Sequence, residues 1–197
     1  MSRPSGDHGT PPRGLTLSPD LLGMRWMWQC VTVCRAGTGR EEGRVVSRPR
    51  LLCRPFDDQM VRRIRRETEA FESILEKIEA KEAAFISSEI LVFEVQRIIA
   101  PDKRAKVSSY LGLHQGYHVT TSETLAVANE IILKFKLAPR DALHSASAAL
   151  GKAQYFPSCD DGITRRFKTR PLSVNIRKKD RTVEVMNPAD FIAKIGW

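Results

Sequence analysis

Acidic side chains stand at three points where the sequence pattern changes from strand to helix. Glu94 lies inside a helical pattern, Asp141 lies in the first turn of a helix opened by Pro139, and Asp160 and Asp161 follow a strand. Carboxylates brought together repel one another, and a hard divalent cation such as Mg²⁺ or Mn²⁺ relieves that repulsion by binding their oxygens. The acids therefore predict a metal site.

Each acid also has an ordinary structural explanation. Asp141 can be a helix-start charge favoured by the macrodipole, and Glu94 can be a partly exposed helix charge. Asp160 or Asp161 can cap the helix that follows. These separate explanations weaken when they are taken together, because three strand-to-helix junctions each offer a carboxylate.

An α/β fold must position these acids, because strand and helix patterns alternate along the chain. In a mainly parallel sheet, chemistry collects just beyond the carboxyl ends of the strands. We therefore expect Glu94, Asp141 and Asp160 to converge at one edge of the sheet. The patterns predict helices over 57–80, 89–99, 103–113, 120–136, 140–150 and from 188 onward, and strands over 84–87, 117–120, 154–157, 172–176 and 182–186.

Several residues predict where these helices begin and which faces they expose. Ser88 and Asn187 are expected N-caps, and Thr120 with Glu123 has the spacing of a capping box. The first long helix carries arginines mixed with glutamates, among them Glu67, opposite its apolar stripe. Such a mixture is typical of a solvated face.

The composition excludes several classes of protein. The net charge is +9, from 32 Lys and Arg against 23 Asp and Glu, which favours an anionic partner and first of all nucleic acid. No apolar run reaches the ~18 residues of a membrane span, and no secretory signal pattern is present. Four scattered cysteines do not make a disulfide framework, so a cytoplasmic location is expected.

The first 50 residues differ in composition from the rest. They hold eight Arg and no Lys, seven of the 12 Gly and five of the 11 Pro, and they show no periodicity. We expect residues 1–50 to be a disordered or atypical N-terminal segment and residues 51–197 to form the domain. A second explanation for the composition is that this segment is translated from a reading frame other than the native one. The Cys30/Cys34 pair is a weak metal motif, because no second pair accompanies it.

Five short runs carry a resemblance to a known family. They are Arg54–Gln59, Ile86–Glu94, Asp141–Ala146, Tyr155–Asp161 and Val185–Ile192. In this order and spacing they resemble the PIN domain, and the resemblance covers about residues 51–195. It implies a three-layer α/β/α sandwich with a mainly parallel sheet and a ribonuclease that depends on Mg²⁺ or Mn²⁺. Many prokaryotic members are VapC-type toxins, each neutralised by a small antitoxin protein.

The resemblance also implies roles for individual residues. Glu94, Asp141 and Asp160 match the catalytic, metal-binding acids, and Asp161 is a neighbouring candidate ligand. Ser158 matches a hydroxyl residue that orients a carboxylate or a water.

His144, one helical turn after Asp141, is expected to pack behind the acids rather than to bind metal. The implied partners are RNA and an antitoxin, with a homodimer as one assembly and no membrane. The basic residues that are candidates to meet RNA phosphates are Arg62, Arg63, Arg104, Lys106, Arg165, Arg166 and Lys168.

One departure from the family is serious. The family begins with an apolar strand that ends in Asp, and counting back from Arg54 puts that position at Arg48. Arg48 places a cation where a metal should bind, and Pro49 has no N–H for a sheet ladder. We therefore expect 45–53 to fill the central strand position poorly. Either the active site of this chain lacks its first acid, or the N-terminal sequence is not the native one.

Three hypotheses for function follow. The first is a PIN-type ribonuclease toxin, impaired because its first acid is missing. The second is a catalytically weak PIN-like module that binds RNA or an antitoxin without cleaving. The third, a basic regulator of unrelated fold, is disfavoured by the ordered carboxylates. Because such acids repel, Asp141→Asn is expected to abolish metal binding while leaving the fold as stable or more stable.

Overall fold

The structure is a computed structural model that describes residues 43–197 of the chain. The expectations for the segment before residue 43, including Cys30 and Cys34, lie outside the described residues. The strands are β1 Gly43–Val46, β2 Ala83–Ser88, β3 Gly116–His118, β4 Tyr155–Pro157, β5 Leu172–Ile176 and β6 Lys179–Met186. They form one sheet in the order β3-β2-β1-β4-β6-β5, parallel throughout except for the antiparallel β5–β6 pair.

Helices cover both faces of this sheet. They are α1 Pro49–Cys53, α2 Arg62–Glu79, α3 Glu89–Gln96, α4 Pro101–Leu111, α5 Ser122–Phe135, α6 Pro139–Leu150, α7 Asp161–Phe167 and α8 Pro188–Ile195, with a 3-10 turn at Arg54–Phe56. Neighbouring strand residues point to opposite layers: Val45 packs with one hydrophobic cluster and Val46 with the other. This period of two gives the sheet two buried faces. The three-layer α/β/α sandwich is thereby confirmed.

The central strand is the largest difference from the sequence-based expectation. Gly43–Val46 pairs in parallel with Ala83–Ile86, and Val45 and Val46 are each 1% exposed. The expectation that this position is poorly filled is wrong, because the strand ends before Pro49. Pro49 instead opens α1, where its fixed φ fits the first helical turn. The folded region therefore begins before residue 51, which we had expected to be the start of the domain.

Helix starts show where local side chains decide a boundary. The Ser88 and Asn187 caps are confirmed, since both side chains accept bonds from backbone N–H groups. The capping box lies one residue later than expected, at Thr121 and Thr124. The first long helix begins at Arg62 rather than Asp57, since the Asp58 carboxylate accepts the Met60 N–H in a local turn.

Two hydrophobic clusters fill the space between the layers. Leu51 and Leu52 of α1 are buried in the cluster on one face, where α1 contacts α2, α3 and α4. On the other face the small residues of α6, such as Ala142 and Ala146, pack against α5 and the sheet. Within residues 43–197 no helix is long and apolar enough to cross a membrane.

Candidate functional site

Arg48 lies at the carboxyl end of the central strand, between the acids that the sequence singled out. It is the residue before α1, and its side chain is only 8% exposed. Its Nη2 atom lies 2.7 Å from Asp141 Oδ1, and its Nη1 atom lies 3.4 Å from Asp160 Oδ2. The two aspartates thus converge on one guanidinium, and the expected convergence of these two acids is confirmed.

Each aspartate is held in place by the start of its own helix. Asp141 lies in the first turn of α6 behind Pro139, where the helix dipole favours a carboxylate. Asp160 is the N-cap of α7, and its Oδ1 atom accepts the Gly162 N–H at 2.8 Å. The ordinary explanation of Asp160 as a cap therefore applies as well. Its second oxygen, Oδ2, remains free to face Arg48 and Arg50.

Glu94 faces the same edge from α3. Its Oε2 atom accepts a hydrogen bond from His144 Nε2 at 2.8 Å, and its Oε1 atom lies 3.1 Å from Arg140 Nε. Burial by itself would raise the pKa of Glu94. The His144 hydrogen bond and the charges of His144, Arg48 and Arg140 outweigh burial, so the pKa of Glu94 lies below its ordinary value.

The charges at this edge balance. Three carboxylates, those of Glu94, Asp141 and Asp160, meet three guanidinium groups. Arg48 contributes the buried one, whereas Arg50 and Arg140 are 67% and 68% exposed. Arg50 Nη1 lies 3.1 Å from Asp160 Oδ2. The formal charges of these six groups sum to zero, so the repulsion between carboxylates that would attract a divalent cation is already relieved.

A divalent metal therefore does not fit this edge as it is folded. The carboxylates have the oxygen chemistry that Mg²⁺ and Mn²⁺ prefer, but the Asp141 and Asp160 oxygens already face Arg48. No group of three or more His, Cys, Asp or Glu residues with a metal-binding arrangement occurs within residues 43–197. The Arg48 guanidinium thus lies between Asp141 and Asp160, two of the acids that the family resemblance implies as metal ligands.

Ser158 and His144 hold their neighbours in place. The buried Ser158 hydroxyl accepts the Asp160 backbone N–H at 3.2 Å, so it shapes the turn rather than bonding to the carboxylate. His144 is fully buried, and its Nε2–H must donate to Glu94 because an ionised carboxylate only accepts. Its other ring nitrogen, Nδ1, has no hydrogen-bond partner among the described residues.

Asp161 points away from the other acids. Both its oxygens bond to Arg63 of α2, at 2.6 and 2.7 Å, and the Arg63 hydrogen bond lowers the pKa of the Asp161 carboxyl. Arg63 also contacts Glu67, which lies 2.6 Å from Arg54 Nε. The geometry gives no support to Asp161 as a fourth ligand beside Asp160.

Sequence reasoning missed three charged residues that organise the site. Glu67 is 1% exposed and not on a solvated face, although the glutamates around it are exposed. Arg140 and Arg50 pair with Glu94 and Asp160 from outside. Arg140 and Arg50 each lie within two residues of a singled-out position, Asp141 or Arg48, which was the only local signal. The apolar spacing did separate the two glutamates: Glu67 lies three residues after Ile64 and four before Phe71, on the apolar stripe of the helix, whereas Glu69 does not.

Comparisons with known proteins found a matching family model and similar solved structures. The model of the family described as the PIN domain matches residues 60–168, which is 109 of the 197 residues. The structure of FitAB bound to an IR36 DNA fragment contains a similar chain, with 16% identity and a TM-score of 0.49, covering 74% of this chain and 95% of that chain. The structure of VapBC2 from Rickettsia felis bound to a DNA fragment from their promoter contains another, with 12% identity and a TM-score of 0.47, covering 73% and 98%. No curated protein matches the chain.

Proposed function

Because this chain belongs to the PIN domain family, we propose that it is a PIN-type ribonuclease module whose catalytic site is blocked by its own Arg48. In this form it binds RNA or an antitoxin protein and cleaves RNA weakly or not at all. The observation that carries this proposal is the 2.7 Å contact between Arg48 and Asp141 in a nearly buried position.

A guanidinium cannot replace a metal ion in hydrolysis. A divalent cation in such a site would lower the pKa of a bound water and oppose the charge that grows on the phosphate. Arg48 carries a single charge, has five N–H donors and no acceptor, and holds no water as a ligand. It neutralises Asp141 and Asp160 without supplying a nucleophile. The acids thus keep their positions in the fold but not their chemistry.

The remaining capacity of the chain is binding. A charge of +9 favours an anionic partner, and RNA is the substrate class that the family resemblance implies. The same resemblance supports a small antitoxin as protein partner and a place as the toxin of a toxin–antitoxin pair. Neither partner requires the acids to be free, so both remain compatible with Arg48 in its observed place.

A second candidate function is metal-dependent ribonuclease activity through Glu94, Asp141 and Asp160. Two observations favour it. Asp141 and Asp160 converge on one guanidinium, and the charge of that guanidinium also lowers the pKa of Glu94, so the three acids share one region. For this function Arg48 has to leave the carboxylates. Its 8% exposure and its two carboxylate contacts oppose such a movement.

Replacing Arg48 by Asp separates the two candidates. This change removes the guanidinium and adds the acid that the family pattern has at this position. Mn²⁺ binding is measured by titration calorimetry, and cleavage of a labelled RNA is measured with Mg²⁺ and with Mn²⁺. We expect no resolvable metal binding or cleavage in the natural chain and both in Arg48→Asp. The matched control is Arg50→Asp, an exposed arginine two residues away, which should gain neither.

A third variant tests whether the metal gained by Arg48→Asp is bound at the expected acids. Adding Asp141→Asn to Arg48→Asp should remove the gained metal binding, since it deletes one of the ligands. If the natural chain binds Mn²⁺ and cleaves RNA, and Asp141→Asn abolishes both, the blocked-site proposal is wrong and the second candidate holds.

A further inference from the structure

A second charged feature lies next to Asp161, whose neighbour Asp160 faces Arg48. It is a cleft of about 1130 Å³ whose walls are formed by α2, α7, β6 and α8. We call it the basic cleft, and the cations that line it are Arg62, Arg63, Arg66, Arg165, Lys168 and Lys194. Neither Arg48 nor Glu94 nor Asp141 lines it. The basic cleft is therefore distinct from the acid-rich edge, the name we give to Glu94, Asp141 and Asp160 together with Arg48, Arg50 and Arg140.

The cations of the basic cleft fall into two groups. Arg63 bonds to Asp161 and to the Cys159 carbonyl oxygen, and these contacts tie α2 to the start of α7. Lys194 pairs with Glu184, and Arg165 lies 3.8 Å from Asp161. These three cations have acidic partners within the protein, and they shape the walls of the cleft.

The other three cations are uncompensated. Arg62, Arg66 and Lys168 are exposed, and none forms an ion pair or hydrogen bond within residues 43–197. Arg62 and Arg66 are four residues apart on one face of α2, so their like charges repel across one helical turn. Lys168 follows α7 and lines the same cleft. The lining also holds one carboxylate without an ion pair among the described residues, Asp190, so the unpaired charges of the cleft are three positive and one negative. This net positive concave surface suits an anion with several charges.

The lining also indicates how such a ligand is read. Its only aromatic residue is Phe167, which is 4% exposed and offers no face on which a base can stack. Thr164 and Thr182 add hydroxyl donors for phosphate oxygens. Arginine forks match phosphate geometry. The surface therefore suits the backbone of a nucleic acid and carries no means of base recognition.

We propose that the basic cleft binds the phosphodiester backbone of single-stranded RNA through Arg62, Arg66 and Lys168, without sequence preference. This inference rests on the proposed function in taking RNA as the ligand. The RNA strand passes from the acid-rich edge at Asp160 into the basic cleft beside Asp161. The cleft therefore adds affinity for RNA but takes no part in cleavage.

The test measures binding of a fluorescent 12-nucleotide oligouridylate by anisotropy, in EDTA, over a range of salt concentrations. The variant is Arg62→Gln/Arg66→Gln/Lys168→Gln. The control is Arg65→Gln/Lys81→Gln/Lys152→Gln, which removes the same charge from exposed cations outside the cleft. The logarithm of the binding constant falls linearly with the logarithm of the salt concentration. Each phosphate contact on a single strand makes this slope steeper by about 0.7, so three contacts contribute about 2. We expect the cleft variant to lose this slope and roughly 100-fold in affinity at 0.1 M salt, and the control to lose less than threefold.

Several results would overturn the inference. They are a cleft variant with natural affinity and salt slope, a control that loses as much as the cleft variant, and a natural chain that does not bind the oligouridylate. Equal binding of a 12-residue polyglutamate would point to an acidic protein segment instead. The proposed function fails by a different result, namely Mn²⁺-dependent cleavage by the natural chain, which leaves this binding measurement intact.

Discussion

Two consecutive carboxylates, Asp160 and Asp161, face two regions that treat charge in opposite ways. Asp160 joins the acid-rich edge, where a buried guanidinium lies between two aspartates and the formal charges cancel. Asp161 borders the basic cleft, where no acidic side chain of residues 43–197 pairs with Arg62, Arg66 or Lys168. A balanced, buried cluster stabilises the fold and has little attraction left for a ligand. An unbalanced, exposed one contributes little to stability and remains available for a partner.

The largest expected effect tests the buried carboxylate that anchors the cleft wall. Glu67→Ala should lower the free energy of unfolding by about 3 kcal/mol, because Arg54 and Arg63 lose a partner that is 1% exposed. Urea unfolding measures this loss. Glu69→Ala, on the exposed face of the same helix, should change stability by less than about 0.5 kcal/mol. Equal effects from the two variants would mean that burial does not distinguish these glutamates.

Removing the central guanidinium should break the balance of the acid-rich edge. Arg48→Ala leaves Asp141 and Asp160, each about one-fifth exposed, without their shared cation. We expect a loss of about 2 kcal/mol, somewhat less than for a fully buried pair. Millimolar Mg²⁺ should recover part of it by binding the freed acids.

The control for this change is Arg50→Ala, whose arginine is 67% exposed. It should cost less than about 1 kcal/mol and show no Mg²⁺ effect. An Mg²⁺ response in the natural chain would contradict the view that Arg48 takes the place of the metal.

Asp141→Asn gives a smaller effect, with a sign opposite to the sequence-based expectation. Unpaired, repelling carboxylates predicted an unchanged or higher stability. The structure pairs Asp141 with Arg48 at 2.7 Å, so neutralising it weakens a charge-assisted hydrogen bond. We now expect a loss of about 1 kcal/mol in urea unfolding. A measured gain would indicate that Arg48 does not hold this position in solution.

Acid should weaken the edge through Glu94. Its pKa in the folded protein lies below the unfolded value, so its contribution is complete above about pH 4.5 and is lost as the pH falls through the folded pKa. Glu94→Gln should cost about 1 kcal/mol or less at pH 7 and flatten the fall in stability below pH 4.5. Urea unfolding between pH 3 and pH 7 measures both. Parallel pH profiles of the two proteins would exclude Glu94 as a source of the acid sensitivity.

The smallest effect belongs to the basic cleft. Replacing Arg62 by Gln should raise stability by about 0.3 kcal/mol, because it removes a like charge four residues from Arg66. Arg65→Gln, on the same helix, serves as the comparison. A loss above about 1 kcal/mol in the free energy of unfolding would show that Arg62 has a structural role. The cations of the basic cleft would then stabilise the fold, as those of the acid-rich edge do.

The candidate site was partly readable from the chain. Asp160 follows β4 at the carboxyl edge of the sheet, as the strand pattern predicts. Asp141 follows the helix α5 rather than a strand, so its meeting with Asp160 was implied by the family resemblance and not by the strand-edge argument. The significance of Arg48 was implied by the family resemblance, which places an Asp at this distance before Arg54. The capping box was misplaced by one residue, because Thr120 and Thr121 both have a hydroxyl and only the backbone path selects one.

The alternation of strands and helices, the caps at Ser88 and Asn187, and the place of the acids were determined by the sequence itself, since each depends on neighbours within a few residues. Tertiary structure alone decided which charges meet. Arg48 reaches Asp160 across 112 positions, and the buried carboxylate of Glu67 contacts Arg54 and accepts a hydrogen bond from Asn187, 120 positions away. Pro49 illustrates the limit: the same residue forbids a strand and favours a helix start, and packing of Val45 and Val46 between two strands selected the second.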